Sequence, residues 1–199
     1  MPSASKVFIN IAYDKKREPI LLGLTAALIA LGRIPRLTFE ITEGGVSRLD
    51  KILDLIGECP VSFHDLSATG LPPRFNMPFE LGIACAHRHY VSKSKHEFHV
   101  MDSEKFRPDV TLSDMKGFDH KVHNGTPEGA MKLVLSVLDK KTGVPVTLAD
   151  AGKIYREMKK LAAVLKRQHG EKTIFSKRIH GSLVLFGIML ARHVGLHKS

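Results

Sequence analysis

The 199-residue chain has no tryptophan and only two cysteines, Cys59 and Cys85. Two such cysteines build no disulfide framework and no Cys-x-x-Cys metal signature. Both stand in apolar helical contexts, where the expected role is that of a small buried hydrophobe, and this usage suits a reducing cytoplasm. No long apolar run is present. The longest, Ser182 to Ala191, falls well short of the roughly 20 residues that a spanning helix needs. Met1 to Ser5 are small and polar and carry no secretory signal. A soluble cytoplasmic protein without membrane contact is therefore expected. Walker, GxGxxG and GxSxG motifs are all missing, which removes support for P-loop, dinucleotide-fingerprint and α/β-hydrolase chemistry. Among the 11 histidines, His87, His89, His96 and His99 lie close in sequence, yet no cysteine or aspartate stands at zinc spacing from them. No metal site is expected.

Acidic residues are scarce at one end only. Residues 151–199 hold 11 Lys or Arg against 2 Asp or Glu, which leaves 19 and 18 for the first 150 residues. The net charge of +10 thus belongs almost entirely to the C-terminal part. Such asymmetry fits contact with nucleic acid or another polyanion. It fits equally a solvated helix face that aids solubility.

Strand and helix patterns alternate through the first two thirds. Lys6 to Ala12 reads as a buried strand and Ile20 to Leu31 as a helix after Pro19. Arg36 to Ile41 alternates as a second strand. Ser47 is set to cap the next helix, with Asp50 in its first turn. Val61 to His64 forms a third strand and His96 to Met101 a fourth. Residues 102–118 look irregular, and Pro127 to Leu138 is an amphipathic helix. This predicts an α/β domain at 1–141, a doubly wound and mostly parallel sheet with helices on both faces. A linker at Lys141 to Pro145 leads to a basic helical hairpin at 147–199, with helices at Leu148 to Gln168 and Thr173 to Val194. Its apolar faces need a partner, either the core or a second copy of the chain.

In an open parallel sheet, ligands bind beyond the carboxyl ends of the strands where strand order reverses. For a five-stranded order that crevice lies between strands one and three. It would gather Tyr13, Asp14, Asp65, Ser67, Arg74, Asn76 and Glu80. Asn76 suits a helix N-cap, which puts Glu80 at the fourth helical position. Glu80 stands between Phe79 and Leu81 and ahead of Gly82-Ile83-Ala84-Cys85-Ala86. A carboxylate on an apolar helix face is costly unless it is paired, capped or used. One reading makes it a helix-end complement. The other makes it a nucleophile or a stabiliser of a cationic sugar. A second polar cluster, with Asp114, Asp119 and His123, falls after the fourth strand. It reads either as turn and cap residues or as a source of a second carboxylate or general acid.

The run Arg74-Phe75-Asn76-Met77-Pro78-Phe79-Glu80-Leu81-Gly82, preceded by His64-Asp65-Leu66-Ser67, resembles the catalytic region of the nucleoside 2-deoxyribosyltransferase-like and TIR-like Rossmannoid group. Val7 to Tyr13 resembles the opening strand of TIR-like domains. The resemblance covers roughly Lys6 to Asp139 and implies a flavodoxin-like fold and N-glycoside chemistry on nucleosides, nucleotides or NAD. Glu80 matches the group's glutamate in an Glu-x-Gly pattern. In an enzyme of this kind, with Glu80 as nucleophile or cation stabiliser, Asp65 and Ser67 would bind sugar hydroxyls, Arg74 a phosphate or carboxylate, and Asp119 or His123 would assist the leaving group. No cofactor is implied, since NAD or a nucleotide would be the substrate. The chain departs from the TIR pattern in two places: Asn76 stands where a tryptophan is usual, and Ala12-Tyr13 replaces Ser-Tyr. Some members of the group are scaffolds, so a non-catalytic nucleotide-sensing module and a self-associating signalling module stay as alternatives.

Overall fold

A computed structural model describes residues 6–42, 44–70, 74–93, 95–138 and 145–196. Five strands form an all-parallel sheet in the order β2-β1-β3-β4-β5. They are β1 (Lys6–Asn10), β2 (Ile34–Arg36), β3 (Val61–Asp65), β4 (Glu97–Asp102) and β5 (Lys121–Val122). This is the expected doubly wound, flavodoxin-like α/β fold, and its order reverses between β1 and β3. β1 is in register with β3 (Phe8 opposite Ser62, Asn10 opposite His64), and β3 with β4 (His64 opposite Val100).

The chain groups into two compact units, residues 1–12 with 36–125 and residues 13–35 with 126–199. In the first unit, α2 (Arg48–Glu58) and α3 (Asn76–Ala86) cover Phe8 together with Ile52, Leu55, Ile56, Cys59 and Ala84. A second cluster joins Ala12, Leu66, Ala68, Met77, Leu81 and Val100. α2 starts where the sequence places it. Ser47 Oγ accepts the Asp50 N–H at 3.1 Å, and the Asp50 carboxylate accepts the Ser47 N–H at 3.2 Å, a reciprocal capping box.

The second unit is helical. It holds α1 (Glu18–Ala30), α5 (Pro127–Leu138), α6 (Leu148–His169) and α7 (Lys177–His193). α1 is buried all round from Ile20 to Ala30, and α5, α6 and α7 pack against it. The expected hairpin thus finds its partner in α1, and α1 and α5 group with the C-terminal helices. Thr147 and Asp150 form the capping box of α6, and Gly170 ends it with a φ of 64° that favours glycine. Thr25 and His180 share a buried hydrogen bond of 3.2 Å.

Several elements differ from expectation. The second strand is Ile34–Arg36, and Thr38–Glu40 turns as a 3-10 helix. Pro35 confines that strand to the sheet edge, and Arg36 reaches forward to Glu40 at 3.0 Å and on to Glu58 at 3.3 Å. Residues 102–118 are not wholly irregular, because α4 (Arg107–Thr111) forms after Phe106 turns the chain with a φ of 63°. α7 begins at Lys177 because the Ser176 hydroxyl caps it on Ile179 N. β5 has two residues, too few to show a period. The expected linker falls mostly at 141–144, outside the described residues.

Candidate functional site

Glu80 is buried at 2 % exposure on the sheet-facing side of α3, between Met77 and Ala84. The helix does not begin as the sequence suggests. Phe75 is the capping residue, with helical backbone angles and no side-chain cap. Asn76 is therefore the first helical residue, and its side chain hydrogen-bonds Glu80 one turn later. The shift leaves Glu80 in the fifth position, where the helix dipole helps a charge little. Burial dominates and raises the Glu80 carboxyl to about 7, against the opposing pull of Arg48 and of the Asn76 hydrogen bond. Arg48, the first residue of α2, stands 3.9 Å from Oε1 with a side chain 55 % exposed. Oε1 itself is buried and accepts no hydrogen bond. An ionisable oxygen is thus held in a dry place beside a cation, with its acceptor capacity unused.

The sheet face beneath α2 and α3 is polar where a doubly wound core is usually apolar. Asn10 ends β1 there, beside His64 of β3. Asn10 Nδ2 lies 3.0 Å from His64 Nδ1 and donates to the Met77 carbonyl at 3.1 Å. His64 Nε2 lies 2.8 Å from Ser62 Oγ, which lies 2.9 Å from His96 Nε2. His96 Nδ1 meets the Cys59 carbonyl at 2.9 Å. All four side chains are buried. Burial lowers His64 to about 3 and depresses His96, so both rings are neutral. Burial also pushes the Cys59 thiol up to about 12 and raises Cys85, so neither offers a nucleophilic thiolate.

At the far end of β3, Asp65 accepts from Ser67 N at 3.0 Å and from Ser67 Oγ at 2.9 Å. His123 Nε2 approaches the same carboxylate at 3.3 Å, and His123 Nδ1 accepts the Gly125 N–H at 3.1 Å. Asp65, Ser67 and His123 are therefore brought together and engaged with one another. Beside them Leu66, Ala68, Met77, Pro78 and Leu112 line an apolar groove of about 290 Å³, with Arg74 exposed on its wall. Met77 belongs to this groove and also receives the Asn10 hydrogen bond.

No family model matches the chain, and no curated protein matches it.

Other expected residues have different described partners. Asp119 is 82 % exposed and ion-paired with Lys121, not with His123. Tyr13 and Asp14 belong to the helical unit. There Tyr13 stacks on Phe175 with ring centroids 5.2 Å apart, and Asp14 accepts from the Lys16 and Arg17 backbone and pairs with Arg17 at 3.2 Å. Among the described residues, no cluster of three or more His, Cys, Asp or Glu is suited to a metal ion, and no helix is long and apolar enough to cross a membrane. Sequence reasoning missed Asn10, Arg48, Ser62, His64 and His96. A signal for three of them was present: Asn10 is a lone polar residue in an apolar strand, and Ser62 and His64 alternate with Val61 and Phe63.

Proposed function

We propose that the sheet-bearing unit cleaves or transfers an N-glycosidic bond of a nucleoside, nucleotide or NAD-like ligand, with Glu80 acting at the anomeric carbon. One observation carries this reading. Glu80 Oε1 is buried and accepts no hydrogen bond, 3.9 Å from the Arg48 cation, on the helix that follows β3, one of the two strands between which the order reverses. A fold gains nothing from such a carboxylate, and a reaction passing through a cationic sugar does. In the ionised form Glu80 attacks the anomeric carbon as the base leaves with the bonding electrons and takes up a proton. Water or a second base then displaces the carboxylate and completes hydrolysis or transfer. Arg74 on the apolar groove suits a phosphate or carboxylate of the ligand. The Asp65–Ser67–His123 group is engaged with itself, so its part is to hold the loop after β3 in place. The likeness to the nucleoside 2-deoxyribosyltransferase-like and TIR-like group supports the same assignment for Glu80.

The test is base release, followed by chromatography, from NAD and from a panel of ribo- and deoxyribonucleosides. Release by the native chain and its loss in Glu80→Gln are expected. Equal ligand binding by both proteins with release by neither would overturn the enzyme reading in favour of a nucleotide-sensing module. Because the ionised carboxylate is the reactive form, the rate rises with pH through about 7.

A self-associating module is the second reading. It is favoured by Leu53 on α2, Phe79 on α3 and Tyr90 just beyond it, all exposed large hydrophobics, and by exposed Leu185 and Met189 one turn apart on α7. Light scattering of the chain with and without residues 148–199 separates a C-terminal homo-oligomer from one built elsewhere. Polyanion contact through the basic helices is read from the salt dependence of binding to a random duplex. The two free cysteines fit a reducing compartment such as the cytoplasm.

A further inference from the structure

The hydrogen-bond chain beneath α2 and α3 has a fixed direction. Two backbone carbonyls close its ends, and a carbonyl only accepts. The Cys59 carbonyl requires the proton of His96 on Nδ1, which makes His96 Nε2 an acceptor. Ser62 must then donate its hydroxyl to His96 and accept from His64 Nε2–H. His64 Nδ1 is left as an acceptor and takes one hydrogen of the Asn10 amide. The Met77 carbonyl takes the other. Both Asn10 hydrogens are thereby used, and the amide cannot turn over without breaking bonds along the chain. The consequence falls on Asn10 Oδ1. It is buried and accepts nothing, as does Glu80 Oε1.

These two unused acceptors share one region. Phe8 belongs to the cluster that contains Ala84, and Asn10, two residues further along the same face of β1, bonds Met77. Glu80 lies between Met77 and Ala84 on the buried side of α3. It therefore stands over the end of β1, near Asn10, and 3.9 Å from Arg48. Two oriented acceptors beside one cation match a ligand that carries hydroxyl donors and negative charge.

We infer that Asn10 is a second ligand-holding residue of the Glu80 site, its Oδ1 accepting a hydrogen bond from a ribosyl hydroxyl, and that His64, Ser62 and His96 are positioning residues that fix its amide. The inference rests on the glycoside reading and adds to it the contact that selects a hydroxylated sugar. A site that spends a buried acceptor on one hydroxyl discriminates against an analogue lacking it.

Calorimetric titration with ADP-ribose, and with adenosine against its 2′-deoxy and 3′-deoxy forms, tests this without turnover. The native chain should bind ADP-ribose and prefer adenosine to one of the deoxy forms. Asn10→Ala should weaken ADP-ribose binding by about 10- to 100-fold and abolish the preference. Ser62→Ala, which cuts the chain without touching Asn10, should reduce the preference, and Ser62→Thr should restore it. Nitrogen-15 spectra should show His64 protonated on Nε2 and His96 on Nδ1, with Ser62→Ala disturbing His64. A preference unchanged in folded Asn10→Ala, or the opposite tautomers, overturns the inference and leaves the role of Glu80 intact. Asn10-dependent binding with no base release under any condition supports the contact and overturns the enzyme reading. A native chain that binds none of these ribosides overturns both.

Discussion

The two compact units are nearly equal in length, yet they bury very different chemistry. Of the twelve buried polar or charged residues among those described, ten lie in the sheet-bearing unit, and only Thr25 and His180 lie in the helical one. The helical unit is organised by close approach. A Cβ on Gly23 would stand 2.6 Å from the Pro127 carbonyl oxygen, and one on Gly187 would meet Ile29 and Met158. The sheet-bearing unit instead places Asn10, Ser62, His64 and His96 where aliphatic side chains would pack at less cost. Stability selects the first kind of interior. The second kind is expected where a ligand must be held and where stability is given up for it. This contrast, more than any single residue, is why the proposed chemistry is put in the sheet-bearing unit.

Glu80→Gln strikes at that contrast hardest. Removing the reactive carboxylate should cut base release by about 10³-fold or more. Its effect on stability should have the opposite sign. The folded carboxyl titrates near 7 against an ordinary 4.5. The fold therefore holds an extra proton between those values, and its stability falls as pH rises through that window. Above pH 8 the full cost is about 3 kcal/mol, and the glutamine variant should be more stable by up to that amount in urea. At pH 5 the advantage should shrink to about 1 kcal/mol. A variant that is inactive and also less stable at pH 8 would mark Glu80 as structural.

Acid should separate the two units. His64 titrates near 3 and His180 near 4, and His96 is also depressed, against an ordinary 6.5. Below pH 6.5 the unfolded chain takes up protons that these buried rings refuse, so stability is lost as pH falls. The loss at pH 5 is about 2 kcal/mol each for His64 and His180, and His96 adds to it. Glu80 works against it over the same range, but one carboxyl does not offset three rings. Two of the rings, His64 and His96, sit in the sheet-bearing unit. Glu80 lies in that unit too and offsets one ring there, whereas among the described residues nothing offsets His180, so hydrogen exchange should show α1 and α7 losing protection between pH 7 and pH 5 more than β1 and β3 do. Equal losses in both units would erase the distinction.

Gly23→Ala probes the helical unit. The new methyl meets backbone, the Pro127 carbonyl oxygen at 2.6 Å, so α1 and α5 must separate. Overpacking of this kind costs about 1–3 kcal/mol, less the roughly 1 kcal/mol by which alanine is the better helix former. A net loss of up to about 2 kcal/mol by thermal unfolding is expected, with base release per folded molecule unchanged.

The fold was legible where local pattern and tertiary packing agree. Apolar runs at β1 and β3 and the Ser47–Asp50 box of α2 needed no long-range information. Glu80 was legible too, as a carboxylate among apolar neighbours. The chain from Asn10 to His96 was not, because it depends on the register that sets Asn10 beside His64 and on a carbonyl at Cys59 distant in sequence. The cap of α3 was misplaced because Phe75 already has helical angles, which turns Asn76 from a cap into a partner of Glu80. Tyr13 and Asp14 follow β1 in sequence, but their described partners are Phe175 and Arg17.

Gly187→Ala should have the smallest effect and sharpens what close approach means here. The added methyl would stand 2.9 Å from Ile29 Cδ1 and 3.1 Å from Met158 Sδ. Both are far ends of flexible side chains, and methionine in particular refits around a neighbour. The rearrangement cost and the roughly 1 kcal/mol gain in helix propensity then nearly cancel. A change within about 0.5 kcal/mol is expected, against a clear loss for Gly23→Ala measured in the same way. A large loss at Gly187 would show that α1, α6 and α7 meet as rigidly as α1 and α5 do. The helical unit would then be fixed throughout its own interior, rather than chiefly where backbone meets Gly23.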